Sequence, residues 1–558
     1  MTRKNKFPIA RMLLLGILAL LVLNIASPVV ASPTGDLKPE YGEGDEQGNG
    51  DSLSLSLDFP MPEVNSGVTK NTISLSGDGW VSVTPPGAFN IPSRTVNALL
   101  PPGADIADIE IDWGHPTVIS SSIPLEKAPF ITYPGGPQSY QKDGPGENFP
   151  TRDTRRPTVK NTGIQYFRGF AIASLIVDPI CYEPDTHELR FYSGAEMKLN
   201  LRDNADYNSL PMLRHGAGGL LDREELLQRN LVTSEPSIDH ILDSYNFASM
   251  AGERSIPQPG EYYPYVIITS AALYDHFLPL AQWKINKGIP TKIVDLADIT
   301  SDADYDDVDT PAEIRNFVND AYQNWNTEYI LIGGDTDVVP FRGLYGLVSG
   351  VCEDDNIPVD HYFGCLDGPY NNDGDGRWGE SNDGTAGGDV DQVSEVYIGR
   401  APVSTTAQAD TFVNKVFDYE RDPRTGFVEK ALLSAAWLDD NTDASLSSDD
   451  LESKTFPPQM TSIKLYETLG NATKNNFNTA MNDGVNVVYN GGHANYNVMS
   501  LTETLGYYRA DADAHVSDHR FNLFYTMGCY ANAFDYSDAI SEHLMFNANG
   551  GSVVFIGN

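Results

Sequence analysis

Basic residues are scarce in this sequence of 558 residues: 37 Lys and Arg stand against 77 Asp and Glu, a formal net charge of -40. A surface this acidic repels nucleic-acid phosphates and anionic lipid headgroups, which argues against nucleic acid as a partner and against a polybasic membrane anchor. Cysteine is scarcer still. Cys181, Cys352, Cys365 and Cys529 are the full set of 4, too few for a disulfide scaffold of this length. Long apolar runs are lacking beyond the N-terminus, so no later segment reads as a membrane-spanning helix. Apolar residues nevertheless make up 41% of the chain, with 49 Gly and 36 Pro. That composition supports several packed domains joined by turn-rich loops.

Arg3, Lys4, Lys6 and Arg11 precede the apolar run from Met12 to Ala26, and Val29-Val30-Ala31 places small residues where a signal peptidase reads. Residues 1–31 are therefore expected to be a secretory signal peptide, with the mature protein secreted or at the cell surface and without a membrane span. Gly, Asp, Glu and Pro dominate residues 32–51, the composition of a disordered spacer. At the other end, Gly551-Ser-Val-Val-Phe-Ile-Gly-Asn558 reads as a buried strand without a polar tail, and the expectation is a chain cut short.

Between these ends the pattern changes once. From Ser52 to Leu201, alternating stretches such as Leu53-Ser-Leu-Ser-Leu57 are broken by Pro-Gly turns, which predicts a β-rich, sandwich-like domain over 52–240. A linker follows over 241–260. From Tyr262 onward, apolar strands alternate with amphipathic helices: strand Tyr265 to Thr269, strand Thr291 to Val294, a helix capped by Thr310-Pro311-Ala-Glu313, strands Tyr329 to Ile332 and Glu395 to Ile398. Strands Ala431 to Ala435, Asn486 to Tyr489, Asn522 to Thr526 and Ser552 to Ile556 continue the series, with helices near Asn476 and over Ala539 to Asn547. Such alternation predicts parallel sheets in an α/β domain of two subdomains, 261–425 and 426–558.

In open parallel sheets, functional groups gather beyond the carboxyl ends of strands. Two predicted strands end there in reactive residues. Val487-Val-Tyr-Asn-Gly-Gly492 delivers His493, and Leu523-Phe-Tyr-Thr-Met-Gly528 delivers Cys529. A thiolate is a competent nucleophile and an imidazole can generate it or protonate a leaving amine. Read from the residues alone, a buried structural Cys and an unrelated loop His remain an alternative.

Tyr265 to Val294, Thr310 to Pro340, Glu395-Val-Tyr-Ile-Gly-Arg-Ala-Pro402, Gly491-Gly-His493 and Cys529-Tyr-Ala-Asn-Ala-Phe-Asp535, with Glu542 and Gly550-Gly551 beyond, resemble the gingipain-type cysteine peptidases. The resemblance covers roughly half the chain. It implies a caspase-like catalytic domain behind a β-rich N-terminal prodomain that acts as an inhibitor until removed at a junction near Arg254, while Arg152, Arg155 and Arg156 are candidate cleavage points from the polar stretch in which they lie. It implies Cys529 as nucleophile, His493 as its acid/base partner, and an oxyanion site built from the Cys529 and Ala494 N–H groups. Ala494 departs from the glycine usual after that histidine. An acid that orients the histidine is expected in the loop after Ala435, and Asp439 and Asp440 both qualify. With Asp443, Asp449 and Asp450, the same loop offers an acidic pocket for a basic substrate side chain.

A second cluster, Asn371-Asn372-Asp373-Gly-Asp375-Gly-Arg-Trp-Gly-Glu380 with Asp383 beyond, spaces carboxylates so that oxygens can wrap Ca2+, and a structural calcium ion is expected at Asp373, Asp375, Glu380 and Asp383; no organic cofactor is implied. Asp511 to His519 reads as a solvated segment, Cys352 and Cys365 as a surface disulfide, and Asn471-Ala-Thr473 as a glycosylation sequon. The expected function is a secreted cysteine endopeptidase acting on proteins or peptides through a thioester. A sortase-like transpeptidase of the same fold and an inactive calcium-stabilised surface binding protein are the alternatives.

Overall fold

The computed structural model describes residues 52–203 apart from 67–72, 77–79, 82–87, 102, 122–123, 126, 128–153 and 168–169; residue 231; and 261–558 apart from 349–351, 381–389, 391–392 and 440–441. The expected signal peptide, spacer and linker, with Arg152, Arg254, Asp383 and Asp440, lie outside these residues. By contacts the chain divides into two units.

The first unit is antiparallel. Strand Gly194–Asp203 pairs with Ser52–Asp58 on one side and Ala104–Asp112 on the other. Phe170–Asp178 pairs with both Arg94–Leu99 and Thr158–Phe167. The alternation read from the sequence is the burial pattern: Leu53, Leu55 and Leu57 point into the core and the serines between them do not. They share one core with Val96, Leu175, Val177, Tyr182 and Phe191. Each buried Leu or Val contributes roughly 1.5–3 kcal/mol relative to exposure. Residues Cys365–Glu395 group with this unit.

The second unit, over its described residues 261–364 and Val396–Asn558, holds two parallel sheets. The first contains β1 (Tyr265–Thr269), β2 (Thr291–Asp295), β3 (Tyr329–Gly333) and β4 (Tyr397–Ala401), in the spatial order β2-β1-β3-β4. The second contains β5 (Lys430–Ala435), β6 (Thr461–Tyr466), β7 (Val487–Gly491), β8 (Asn522–Thr526) and β9 (Ser552–Ile556), in the order β6-β5-β7-β8-β9. Helices α1 (Tyr274–Asn286), α2 (Thr310–Trp325), α3 (Thr406–Glu420), α4 (Ser445–Thr455), α5 (Lys474–Asp483) and α6 (Ile540–Phe546) intervene. Continuous apolar strands such as Val266-Ile-Ile268 are buried on both faces, as parallel sheets with helices on each side require. The α/β fold class read from the sequence is the fold observed.

Local differences have physical causes. The N-cap of α2 is Asp309, not Thr310. Its Oδ1 accepts the Ala312 amide at 3.1 Å while both its oxygens receive the Arg342 guanidinium at 2.6 and 2.8 Å. Strand β4 starts at Tyr397, because Glu395 leaves the strand to accept the Leu366 amide at 2.8 Å, and it runs on through Arg400. That buried arginine is satisfied by Asp360 at 2.6 and 2.7 Å and by the Gly334 and Val339 carbonyls at 2.7 Å each. The sequence reading had no elements at α4 and β6. Among the described residues, no helix is long and apolar enough to cross a membrane.

Candidate active site

Three neighbouring strands of the second sheet present their carboxyl ends side by side in the order β5, β7, β8. The chain leaves β5 towards β6 on one flank and returns to β7 on the other, so the strand order reverses between β5 and β7. Such a reversal opens the crevice in which open α/β sheets bind ligands.

Strands β7 and β8 are parallel, with Val487 opposite Leu523 and Asn490 opposite Thr526. His493 follows Asn490 by three residues and Cys529 follows Thr526 by three, so both emerge at the same level from strands about 4.8 Å apart. The base of this pair of loops is tied. Thr526 Oγ1 donates toward Asn490, 3.0 Å from Oδ1 and 3.2 Å from the carbonyl, and accepts the Gly528 amide at 3.1 Å. The Met527 amide reaches the Asn490 carbonyl at 3.3 Å. Above that, Gly528 faces Ala494 so closely that a Cβ on it would stand 2.4 Å from the Ala494 Cβ and 3.0 Å from the Gly492 carbonyl oxygen. Ala494 begins a short hairpin strand, Ala494–Asn495, paired with Val498–Ser500. It is not among the residues of positive φ, so its Cβ is accommodated without backbone strain. Cys529 is exposed and His493 half-buried.

The third strand supplies the contact that fixes the imidazole. His493 Nε2 lies 2.7 Å from the backbone carbonyl oxygen of Leu438, in the short strand Trp437–Asp439 of the hairpin turn after β5. A carbonyl only accepts, so Nε2 carries a proton and Nδ1 is the ring nitrogen turned away from this contact. Asp439 is the next residue, and its Oδ1 accepts the Thr442 amide at 3.0 Å, holding the turn that presents the carbonyl. Asp440 lies outside the described residues. Sequence reasoning reached this loop through its acids; the contact to the Leu438 carbonyl comes from a backbone oxygen, which has no residue-type signature.

The remaining acids of the loop are engaged locally. Asp443 accepts the Ser445 amide and hydroxyl at 2.8 and 2.6 Å, where α4 begins. Asp449 pairs with Lys464 at 2.7 Å and accepts from the Tyr466 hydroxyl at 2.8 Å, and the Lys464 hydrogen bond holds its carboxyl below the usual range. Asp450 pairs with Lys454 at 3.1 Å. Each acid read as part of a basic-residue pocket, where described, is thus already partnered within or beside α4.

Beyond Cys529 the chain passes through Tyr530 and Asp538, both in the left-handed region at φ 57° and 52°, before entering α6. Glu542 in the first turn of α6 is 1% exposed; its Oε2 accepts the Ala539 amide at 2.6 Å and its Oε1 is buried without a hydrogen-bond partner. Burial pushes this acid up to about 9, with Asp335 and Asp538 adding to the rise and the Ala539 amide and Arg509 opposing it.

The candidate calcium residues come together. Carboxylate oxygens of Asp373, Asp375 and Glu380 lie within 4.8 Å of one another. Gly374 and Gly376, at φ 71° and 96°, give the turns between them a conformation that favours glycine. Asn371 Oδ1 is buried without a hydrogen-bond partner two residues before Asp373. An all-oxygen set with an orphaned carbonyl fits a hard cation such as Ca2+. Against this, Arg377 reaches Glu380 at 3.4 Å. Asp383 lies outside the described residues.

Three subsidiary readings change or are refined. Cys365 carries a thiol, buried with its Sγ 3.6 Å from Ser394 Oγ, which replaces the expected surface disulfide; the Cys352 side chain lies outside the described residues. Asn471 is committed on both sides of its amide, accepting from Tyr466 N at 3.0 Å and donating to Lys464 O at 2.9 Å, a poor glycan acceptor. His515 is not solvated: it is buried between the Tyr507 hydroxyl and Asn482, and desolvation lowers it to about 4.

No curated protein matches the chain. Among solved structures, the chain is similar to the Arg specific cysteine proteinase gingipain R at 18% identity and TM-score 0.40, covering 54% of this chain and 63% of that one. It is similar to the complex of RgpB pro- and mature domains from Porphyromonas gingivalis at 17% and 0.41, covering 52% and 62%, and to a structure described as a protease at 17% and 0.41, covering 53% and 59%. The chain thus spans about three fifths of the length of these three solved structures. The model of peptidase family C25 matches residues 258–558, more than half of the sequence and the whole of both parallel sheets, and the chain belongs to that family.

Proposed function

We propose that this chain is the precursor of a secreted cysteine endopeptidase working through a Cys529–His493 dyad. The observation that carries the reading is the strand register, which sets His493 and Cys529 at equal distances beyond the paired residues Asn490 and Thr526. With Nε2–H held by Leu438, His493 Nδ1 takes the thiol proton, and the Cys529 sulfur attacks the scissile carbonyl carbon. The tetrahedral oxyanion is placed to meet the Cys529 and Ala494 N–H groups. His493 returns the proton to the leaving amine as the C–N bond breaks, giving a thioester. A water molecule, deprotonated by His493, then attacks the thioester, and the thiol is regenerated with release of the acid product.

Protein or peptide chains are the substrates. The β-rich N-terminal unit is the inhibitory prodomain, the role suggested by the pro- and mature-domain pairing in one similar structure. Asp373, Asp375 and Glu380, with Asn371 Oδ1, would hold a structural calcium ion that cross-links their loop and takes no part in the chemistry. The test is hydrolysis of peptides containing Arg, Lys, Asp or Asn by the full gene product. Cys529→Ala is expected to lower kcat/KM by about 10³-fold or more, and unchanged cleavage by that variant overturns the proposal.

A further inference from the structure

The two loops that carry His493 and Cys529 are tied below the candidate dyad by Thr526 and Asn490. They are tied a second time above it. Tyr496, at the tip of the hairpin three residues past His493, stacks on Tyr536, seven residues past Cys529, with ring centroids 4.6 Å apart and an interplanar angle of 7°. The Tyr496 carbonyl accepts the Ile540 amide at 2.8 Å, at the start of α6. The same carbonyl accepts Arg509 Nε at 3.2 Å, and the Arg509 guanidinium lies 5.1 Å from the Tyr496 ring centroid. Both rings are well exposed, at 39% and 47%, so the stack is not a core contact that the fold needs for its own sake.

The segment it holds is seated at its middle, where Ala531, Ala533 and Phe534 are buried and the Asn532 amide donates to the Asn558 carbonyl at 2.8 Å, but is exposed at its end over 536–538, where the stack lies. Tyr530 and Asp538 bracket it in left-handed backbone, a conformation that side chains with a Cβ resist and that persists only where surroundings impose it. The hairpin tip, for its part, is closed locally by Asn495 Oδ1, which accepts the Asn497 amide at 2.8 Å, and is tied outward through the Asn497 carbonyl, which accepts the Arg509 amide at 3.3 Å. With a fastening at each end, the distance between the imidazole and the sulfur is set by both.

We propose that Tyr496 and Tyr536 form a latch that fixes the separation of His493 from Cys529, and that both are positioning residues for the nucleophile. The proposal rests on the cysteine-peptidase reading above. It makes the ring faces, not the hydroxyls, the working groups, so phenylalanine at either position should serve.

The test is the rate at which iodoacetamide modifies Cys529 in the full chain at fixed neutral pH, read by peptide mapping for wild type, His493→Ala, Tyr496→Ala, Tyr496→Phe and Tyr536→Ala. Wild type is expected to react faster than His493→Ala. Tyr496→Ala and Tyr536→Ala are expected to fall by about tenfold toward the His493→Ala rate, since a displacement of about 1 Å at a reacting pair costs up to about 10²-fold. Tyr496→Phe is expected to react at the wild-type rate. The two alanine variants place the break on opposite sides of the stack, so a folding failure of one leaves the other to decide. If wild type and His493→Ala react alike, the dyad reading fails and the latch with it. If they differ while both tyrosine-to-alanine variants match wild type, the latch alone is overturned.

Discussion

Replacing Glu542 by Gln should change how the stability of the protein depends on pH. In the native chain this carboxyl is buried, half-satisfied by the Ala539 amide, and pushed up to about 9 from an ordinary value of 4.5. Between those values the native state keeps a proton that the unfolded chain releases. A raised folded value means that the contribution is fully present below the unfolded value and is lost as pH rises toward the folded one. The loss approaches about 1.4 kcal/mol for each pH unit, so between pH 5 and 8 this group alone removes roughly 4 kcal/mol. Gln keeps a carbonyl oxygen for the Ala539 amide and does not titrate, so it adds a fixed offset and no slope. Urea unfolding of wild type and Glu542→Gln at pH 5, 6, 7 and 8 gives the comparison. The difference in stability should move toward the variant by roughly 4 kcal/mol across the series. Parallel curves would refute the reasoning, because they would mean that Glu542 is ionised or solvated in the native protein.

Two further outcomes follow from the same geometry. Gly528→Ala brings a Cβ to 2.4 Å from that of Ala494 and to 3.0 Å from the Gly492 carbonyl, more than 1 Å inside normal carbon contact for the former; kcat/KM should drop by about 10²-fold, and Ala494→Gly in the same chain, which removes the shorter contact only, should recover part of it. Removing divalent cations with a chelator should lower the thermal midpoint if Asp373, Asp375 and Glu380 hold calcium, and calcium should restore it; Asp375→Asn should lower the calcium sensitivity of the midpoint, and a midpoint indifferent to chelator and calcium counts against the site.

What the sequence makes legible depends on whether the signal is local. Strands β8 and β9 are found at the predicted residues because their runs, Asn522 to Thr526 and Ser552 to Ile556, are apolar, short and closed by glycine or polar residues. Strand β4 resists this reading because Arg400 interrupts its apolar pattern, and what makes a buried arginine tolerable there lies 40 residues or more away in sequence, in Asp360 and the Gly334 and Val339 carbonyls. Helix α4 is hidden for a different reason. It buries Ser445 and Ser448 against the sheet and leaves Leu446 exposed, which inverts the pattern by which an amphipathic helix announces itself. The cap of α2 falls on Asp309 in place of Thr310 because Arg342 selects it, a partner that no local rule can supply. At the site, His493 and Cys529 are legible as reactive residues at strand ends, whereas their common level requires the register of β7 on β8.

The Leu438 carbonyl gives the site an unusual robustness to substitution. An orienting carboxylate can be deleted by one codon change; a peptide oxygen is present whatever residue occupies position 438. A proline or a one-residue insertion in that turn would rotate the carbonyl away and free the imidazole to turn. The group is also uncharged. Its hydrogen bond fixes which ring nitrogen of His493 faces that turn.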